Sequence, residues 1–171
     1  MPRRPARGIR GGAPGSRSRA ISSLLIGVCP GPPACSGAHT QLFVDGLDLV
    51  ARSRSGAAGL CPCRLLRPGG PLHPSDAPRT VRVASPPPLA PPFGGRPDTG
   101  PDHGCGGEPG GLDITVRLRG ELVVWADLMF PDDSGRVVEE VRFRLGPYLG
   151  EIGRVYARWK DLGSGCGRPG G

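Results

Sequence analysis

The uneven distribution of proline and glycine most strongly limits what this chain can fold into. Of its 171 residues, 22 are proline and 30 are glycine, and 19 of the prolines and 20 of the glycines precede Leu112. Both residues are unfavourable inside helices and strands, because proline has no amide hydrogen and glycine loses the most backbone entropy. The sequence therefore predicts a largely disordered Gly/Pro/Arg-rich region over 1–111, a folded module over 112–162 and a disordered tail over 163–171.

The formal charge divides at the same boundary. Residues 1–111 carry 13 arginines and six acidic residues, a balance of +7, whereas 112–162 carries eight basic and nine acidic residues, a balance of −1. Arginines scattered among glycine and proline attract polyanions weakly and in a salt-sensitive way. The basic character of the chain therefore indicates, at most, a weak association of the N-terminal arm with nucleic acid.

Short stretches of local order are predicted within the first region. The Asp-Gly pair at 45–46 lies between apolar triplets, which is typical of a type I′ hairpin, here over 41–51. The alternation over 80–84 predicts a short strand.

The apolar run at 20–28 follows a basic, acid-free start, a pattern that leaves an export or organelle signal open as an alternative. We expect a cytoplasmic protein. No apolar run approaches the roughly 20 residues that a membrane-spanning helix needs.

The module should contain three strands and a helix. Leu112–Arg119 alternates with period 2, Glu121–Phe130 is almost continuously apolar, and Arg136–Leu145 alternates in its second half. Short turn sequences separate these segments, which predicts an antiparallel meander. Apolar residues then recur at helical spacing over 146–162. The predicted fold is α+β: a small three-stranded antiparallel meander with one C-terminal helix packed on one face.

The turn lengths predict the strand register. Pairing Phe130 with Arg136 places Trp125 opposite Val141, and a two-residue first turn places Val116 opposite Val123. These side chains then share the face that the helix should cover, and a slip of one residue would reverse every assignment.

The same register places Asp127 opposite Glu139. Two close carboxylates raise the pKa of one of them, which is a property that acid–base catalysts use. A structural salt bridge or a solvated edge is the simpler interpretation, and it is the one we expect.

The opposite face of the sheet should carry an apolar stripe that needs a cover. The stripe consists of Leu122, Val124, Ala126, Leu128 and Phe130. Such a stripe is rarely left in water, and a module of 51 residues without a cysteine is in the size range that usually needs a partner. A second copy, the segments 41–51 and 80–84 folding back, or a separate protein could cover it. Arginine stems from the outer strands are the alternative that needs no partner.

Four arginines should gather at one end of the same face. They are Arg117, Arg119, Arg142 and Arg144, and they form a candidate anion-binding group with Glu140 among them. Proteins that read RNA on a sheet stack bases on exposed aromatic residues, and this face offers only Phe130.

No motif for catalysis or cofactor binding is recognisable. The module has no histidine, and the chain has no phosphate loop or dinucleotide fingerprint. The six cysteines lie outside the module and lack the paired spacing of a zinc site, although in an oxidising compartment they could form disulfides. They are Cys29, Cys35, Cys61, Cys63, Cys105 and Cys166. We expect no enzymatic activity, no cofactor and no metal.

These observations favour a non-enzymatic interaction module that binds a second copy of itself or another protein through the outer sheet face. The alternative is a nucleic-acid-associated protein whose Arg-rich arm supplies non-specific affinity.

Overall fold

The structure is a computed structural model, and it describes residues 20–30, 37–53, 57–86, 111–131 and 137–161. Within these residues the strands are β1 (Leu24–Pro30), β2 (Ala38–Val44), β3 (Leu47–Asp48), β4 (Ala58–Gly59), β5 (Arg79–Ser85), β6 (Leu112–Arg119), β7 (Leu122–Pro131) and β8 (Val137–Arg144). The helices are α1 (Leu49–Ser53), α2 (Pro62–Leu65) and α3 (Leu145–Asp161).

The α+β class, with antiparallel sheets and a C-terminal helix, is confirmed, but the three-stranded description is incomplete. The predicted meander of β6, β7 and β8 is extended by two strands from the preceding region, in the order β4-β5-β6-β7-β8. β5 contains the predicted strand 80–84, and its Val81 pairs with Ile114 of β6. An edge strand leaves a row of backbone groups without partners, and β5 supplies those partners to β6.

A second sheet, in the order β1-β2-β3, comes from the region for which the sequence predicted mostly disorder. Ile26 of β1 and Leu42 of β2 are both buried in the core. The apolar run at 20–28, which suggested a targeting signal, thus supplies a core strand. The sequence pattern of β1 and β2 is a weak predictor, because strand formation depends on the surface against which a strand packs. Residues 1–19, 87–110 and the tail at 163–171 lie outside the described residues.

The predicted hairpin turn at 45–46 is present, but the second strand of the hairpin is short. Asp45 has φ 52° and Gly46 has φ 81°, and a type I′ turn requires positive φ at both positions. The strand ends at Asp48, because its Oδ1 accepts hydrogen bonds from the amides of Val50 and Ala51 at 2.8 and 3.0 Å. Asp48 therefore caps α1 where the prediction continued the hairpin to residue 51.

Gly59 lets the two sheets meet. A Cβ at this position would lie 1.7 Å from the carbonyl oxygen of Thr40 on β2. The neighbouring Leu60 carbonyl accepts a hydrogen bond from the Thr40 amide at 2.9 Å. A side chain at residue 59 would separate the strands that this bond joins.

The predicted register is confirmed between β7 and the second half of β8, where Trp125 pairs with Val141. The first turn was predicted one residue too early, which moves the pairing by two residues: Val116 pairs with Trp125 and not with Val123. The turn centres on Gly120, whose φ of 58° suits a tight turn, and on the residue after it. A shift of two residues keeps each side chain on its predicted face.

Helix α3 covers that face, as predicted. Its buried side chains recur at helical spacing and are Tyr148, Ile152, Val155 and Trp159. The first three belong to the same core cluster as Val116 and Trp125 of the sheet.

Three aromatic rings form the centre of this packing. Trp125, Phe143 and Tyr148 contact one another with ring centroids 4.9 to 6.0 Å apart. The Trp125 Nε1–H donates to the Tyr148 hydroxyl at 3.1 Å, and that hydroxyl donates to the Leu72 carbonyl at 2.7 Å. Burial raises the pKa of Tyr148, so the hydroxyl keeps the proton that it donates. One side chain thus connects β7, α3 and the loop that carries Leu72.

We expect Tyr148→Phe to lower the free energy of unfolding by about 2–3 kcal/mol. The substitution removes one oxygen and leaves a buried N–H and a buried carbonyl without partners, at about 1–3 kcal/mol each before relaxation. Tyr156→Phe, on the half-buried side of the same helix, is the matched control and should change stability little. Urea unfolding followed by circular dichroism measures both, and equal losses in the two variants would contradict the role of the hydroxyl.

Candidate functional site

The predicted apolar stripe on the outer face of the main sheet lies between arginines. Arg117 of β6 and Arg142 of β8 are the cross-strand neighbours of Val124. Val124 is 1 % exposed although it projects away from the core cluster. The side chains of Arg117 and Arg142 are 24 % and 13 % exposed, so they lie along the sheet. This arrangement supports the alternative in which arginine stems cover the stripe.

Glu140 holds these two arginines in place. Arg117 Nη2 donates to Glu140 Oε2 at 3.0 Å, and Arg142 Nε donates to Oε1 at 2.7 Å, with its Nη2 on the same oxygen. Hydrogen bonds between ionised groups are among the stronger ones in proteins. One carboxylate therefore neutralises part of the predicted anion-binding group.

The two arginines also set the ionisation of Glu140. Burial acts to raise its pKa, but the hydrogen bonds and charges of Arg142 and Arg117 outweigh burial, and the pKa of this carboxyl is lowered. A glutamate with a lower pKa in the folded than in the unfolded protein stabilises the fold at neutral pH. That stabilisation is lost as the pH falls through the folded pKa.

The other two predicted arginines remain exposed. Arg119 and Arg144 flank Leu122 in the next cross-strand row, and neither makes an ion pair with any residue that the structure describes. Leu122 between them is half-buried. This end of the face therefore carries two unneutralised cations on neighbouring positions.

Leu128 does not lie on the predicted face. It is 2 % exposed and belongs to the core cluster with Trp125, on the helix side of the sheet. The β7–β8 register shifts between Ala126 and Phe130, and Asp127 has φ 64°. Between these pairs β7 has residues 127–129 opposite the single residue 139 of β8, and this irregularity interrupts the alternation and directs Leu128 inward. Ala126 is half-buried, and the side chain of Phe130 lies outside the part of the chain that the structure describes.

The predicted pairing of Asp127 with Glu139 is wrong for the same reason. Glu140 pairs with Ala126, and the next pair after the shift is Phe130 with Val138. Asp127 instead accepts a hydrogen bond from Thr115 Oγ1 at 2.5 Å. The geometry that suggested coupled carboxylates is therefore not formed.

The exposed apolar side chains lie elsewhere, on and just before β1. Among the described residues the large hydrophobic side chains with high exposure are Ile21 at 45 %, Leu25 at 55 % and Val28 at 40 %. Leu25 pairs with Phe43 of β2 on the side of the sheet opposite Ile26. These residues belong to the apolar run at 20–28, whose sequence pattern suggested a targeting signal and not an exposed surface.

A cavity of about 480 Å³ beside β2 is lined by side chains that already have structural roles. The His39 Nδ1–H donates to the Gly59 carbonyl, and Asp48 caps α1.

No group of three His, Cys, Asp or Glu side chains suited to a metal occurs among the described residues. Cys61 and Cys63, whose Sγ atoms lie 2.8 Å apart, are at the start of α2.

The longest helix described, α3, is amphipathic, and none of the helices in the described ranges is long and apolar enough to cross a bilayer.

We expect Glu140→Gln to destabilise the fold by about 1–2 kcal/mol at neutral pH, since two half-buried arginines lose their carboxylate. The stability difference from the native chain should shrink as the pH falls below the ordinary value of 4.5, because the native glutamate then becomes protonated as well. Glu121→Gln, at the exposed turn, is the matched control. Urea titrations across this pH range measure the effect, and a difference independent of pH would contradict the assigned ion pairs.

No protein-family model, no curated protein and no solved structure matches this chain.

Proposed function

We propose that this chain is a non-enzymatic interaction module that binds a second copy of itself through the outer side of β1. The observation that carries the proposal is the exposure of Leu25, at 55 %, on the side of β1 that faces away from the core, together with the exposed Ile21 just before the strand. Exposed apolar side chains that cluster on one element are typical of protein contact surfaces. The outer face of the main sheet, which the sequence favoured, is a weaker candidate because Val124 lies beneath arginine stems and Leu128 lies in the core.

The contact centres on Leu25 and Phe43, which are cross-strand partners on the outward side of the β1–β2 pair. The same patch on two copies can meet across a twofold axis, the commonest symmetry of soluble oligomers. The sheet behind it is small, since β3 has only two residues. Association would bury the outward face of this sheet, whose inward face already supplies Ile26 and Leu42 to the core.

A second candidate function is polyanion binding at Arg119 and Arg144. These two exposed arginines flank Leu122 and have no carboxylate partner among the residues described, which favours contacts with phosphate. Without described aromatic platforms on this face, such binding would be electrostatic and independent of sequence.

We expect Leu25→Asp to weaken self-association of the full chain by about tenfold or more, because an unpaired carboxylate is costly to remove from water. Ala157→Asp, on the exposed side of α3, adds the same charge away from β1 and should leave association unchanged. Sedimentation velocity over a wide range of protein concentration measures both. A native chain that stays monomeric throughout, or equal effects of the two variants, would contradict the proposal.

For the second candidate, we expect replacing Arg119 and Arg144 together by alanine to weaken binding to duplex DNA and to reduce the slope of log K against log salt by about 1.8. Replacing the exposed Arg64 and Arg67 removes the same charge elsewhere and is the control. Filter binding across a salt series measures the slope. Equal slopes for the two double variants would exclude a specific role for the sheet face.

A further inference from the structure

A groove separates β1 from the C-terminal half of α3. Its apolar side chains include Val28 of β1 with Val155 and Trp159 of α3, and Arg154 and Arg158 also line it. The groove encloses about 340 Å³. Val155 and Trp159 are four residues apart, or about 6 Å along the helix, which matches about two residues of an extended strand.

The edge of β1 that faces this groove has a regular order of backbone groups. The Ser23 carbonyl accepts a hydrogen bond from the Asp45 amide at 3.0 Å, at the end of the β1–β2 pair. The backbone groups of odd-numbered residues therefore face β2, and those of even-numbered residues point to the other edge. There the Ser22 amide donates to the Arg142 carbonyl at 2.7 Å, and the Ile26 amide donates to Glu151 Oε1 at 2.8 Å. Val28 is the next residue in this series, and it lies at the groove.

Glu151 marks the point where the occupied edge ends. Arg154 donates to it through Nε and Nη2, both at 2.8 Å. This hydrogen bonding outweighs burial and lowers the pKa of Glu151, so its carboxylate is ionised when it accepts from Ile26. A carboxylate oxygen thus takes the place that a strand carbonyl would take beside β1, at the Ile26 end of the groove.

Two features of α3 indicate what the groove lacks. Trp159 is 5 % exposed, and its Nε1–H is buried without a hydrogen-bond partner among the described residues, an arrangement that is unfavourable. Arg158 is exposed and forms no ion pair within the described part of the chain. An acceptor for the indole and an anion for the guanidinium are therefore both missing.

We propose that this groove binds a short extended peptide segment of another protein, in which apolar residues alternate with carboxylates. The segment would continue the edge of β1 at Val28, place apolar side chains on Val155 and Trp159, and place a carboxylate by Arg158. Strand addition of this kind takes its affinity from main-chain hydrogen bonds and its specificity from side-chain pockets. The inference extends the proposed function to a second contact on β1, and it uses residues other than Leu25 and Phe43.

The probe is a capped hexapeptide of alternating valine and glutamate, titrated into the full chain and followed by the two indole N–H signals in NMR spectra. We expect the Trp159 signal to shift saturably while the Trp125 signal, already bonded to Tyr148, stays unchanged. Arg158→Glu should weaken binding about tenfold, whereas Arg64→Glu should not. Leu25→Asp should retain peptide binding even if it abolishes self-association, so the two proposals fail separately.

A peptide of alternating valine and lysine tests the role of charge. Equal binding of the two peptides, or an unmoved Trp159 signal with the glutamate peptide, would overturn the proposal. A Trp159 signal that shifts on dilution of the protein alone would assign the groove to a second copy of the chain, and this result would also overturn it.

Discussion

The hydroxyl of Tyr148 joins three parts of the molecule that have no covalent connection nearby. It accepts from Trp125 in the middle of the main sheet and donates to the Leu72 carbonyl, and its ring packs against Phe143. Because a buried polar group is tolerated only when it is hydrogen-bonded, these bonds fix where α3 lies on the sheet. The position of α3 in turn brings Glu151 to the edge of β1 and places Trp159 at the groove. The groove between β1 and α3 therefore depends on this one buried side chain.

The middle strand β7 shows how a small sheet can be apolar on both faces without a partner on each. Its inner side chains pack under α3, whereas Val124 on the outer side is covered by Arg117 and Arg142. The aliphatic stems of arginine remove apolar surface from water while the charged ends bond Glu140. Arg117, Arg142 and Glu140 together therefore cover the apolar surface of Val124 and neutralise part of the arginine charge. This leaves β1 as the element whose apolar side chains have the least cover among the residues described.

The alternation of β6 and the helical stripe of α3 could be predicted because each residue's position in a regular element decides its face. The inward turn of Leu128 could not, since it depends on Asp127 adopting a positive φ, a conformation that aspartate tolerates but does not require. The second sheet was missed for a different reason: Ile26 and Leu42 become core residues only through packing against elements distant in sequence. For the site, the four arginines were identified, but the sequence could not show which of them Glu140 would bind.

The central claim is that the protein self-associates through β1 and not through the outer face of the main sheet. Hydrogen–deuterium exchange of the full chain, compared by mass spectrometry between dilute and concentrated solution, tests it most directly. The account predicts that amides over 24–30 and 38–44 exchange more slowly at high concentration while those over 122–128 are unaffected. Slower exchange confined to 122–128 would contradict it.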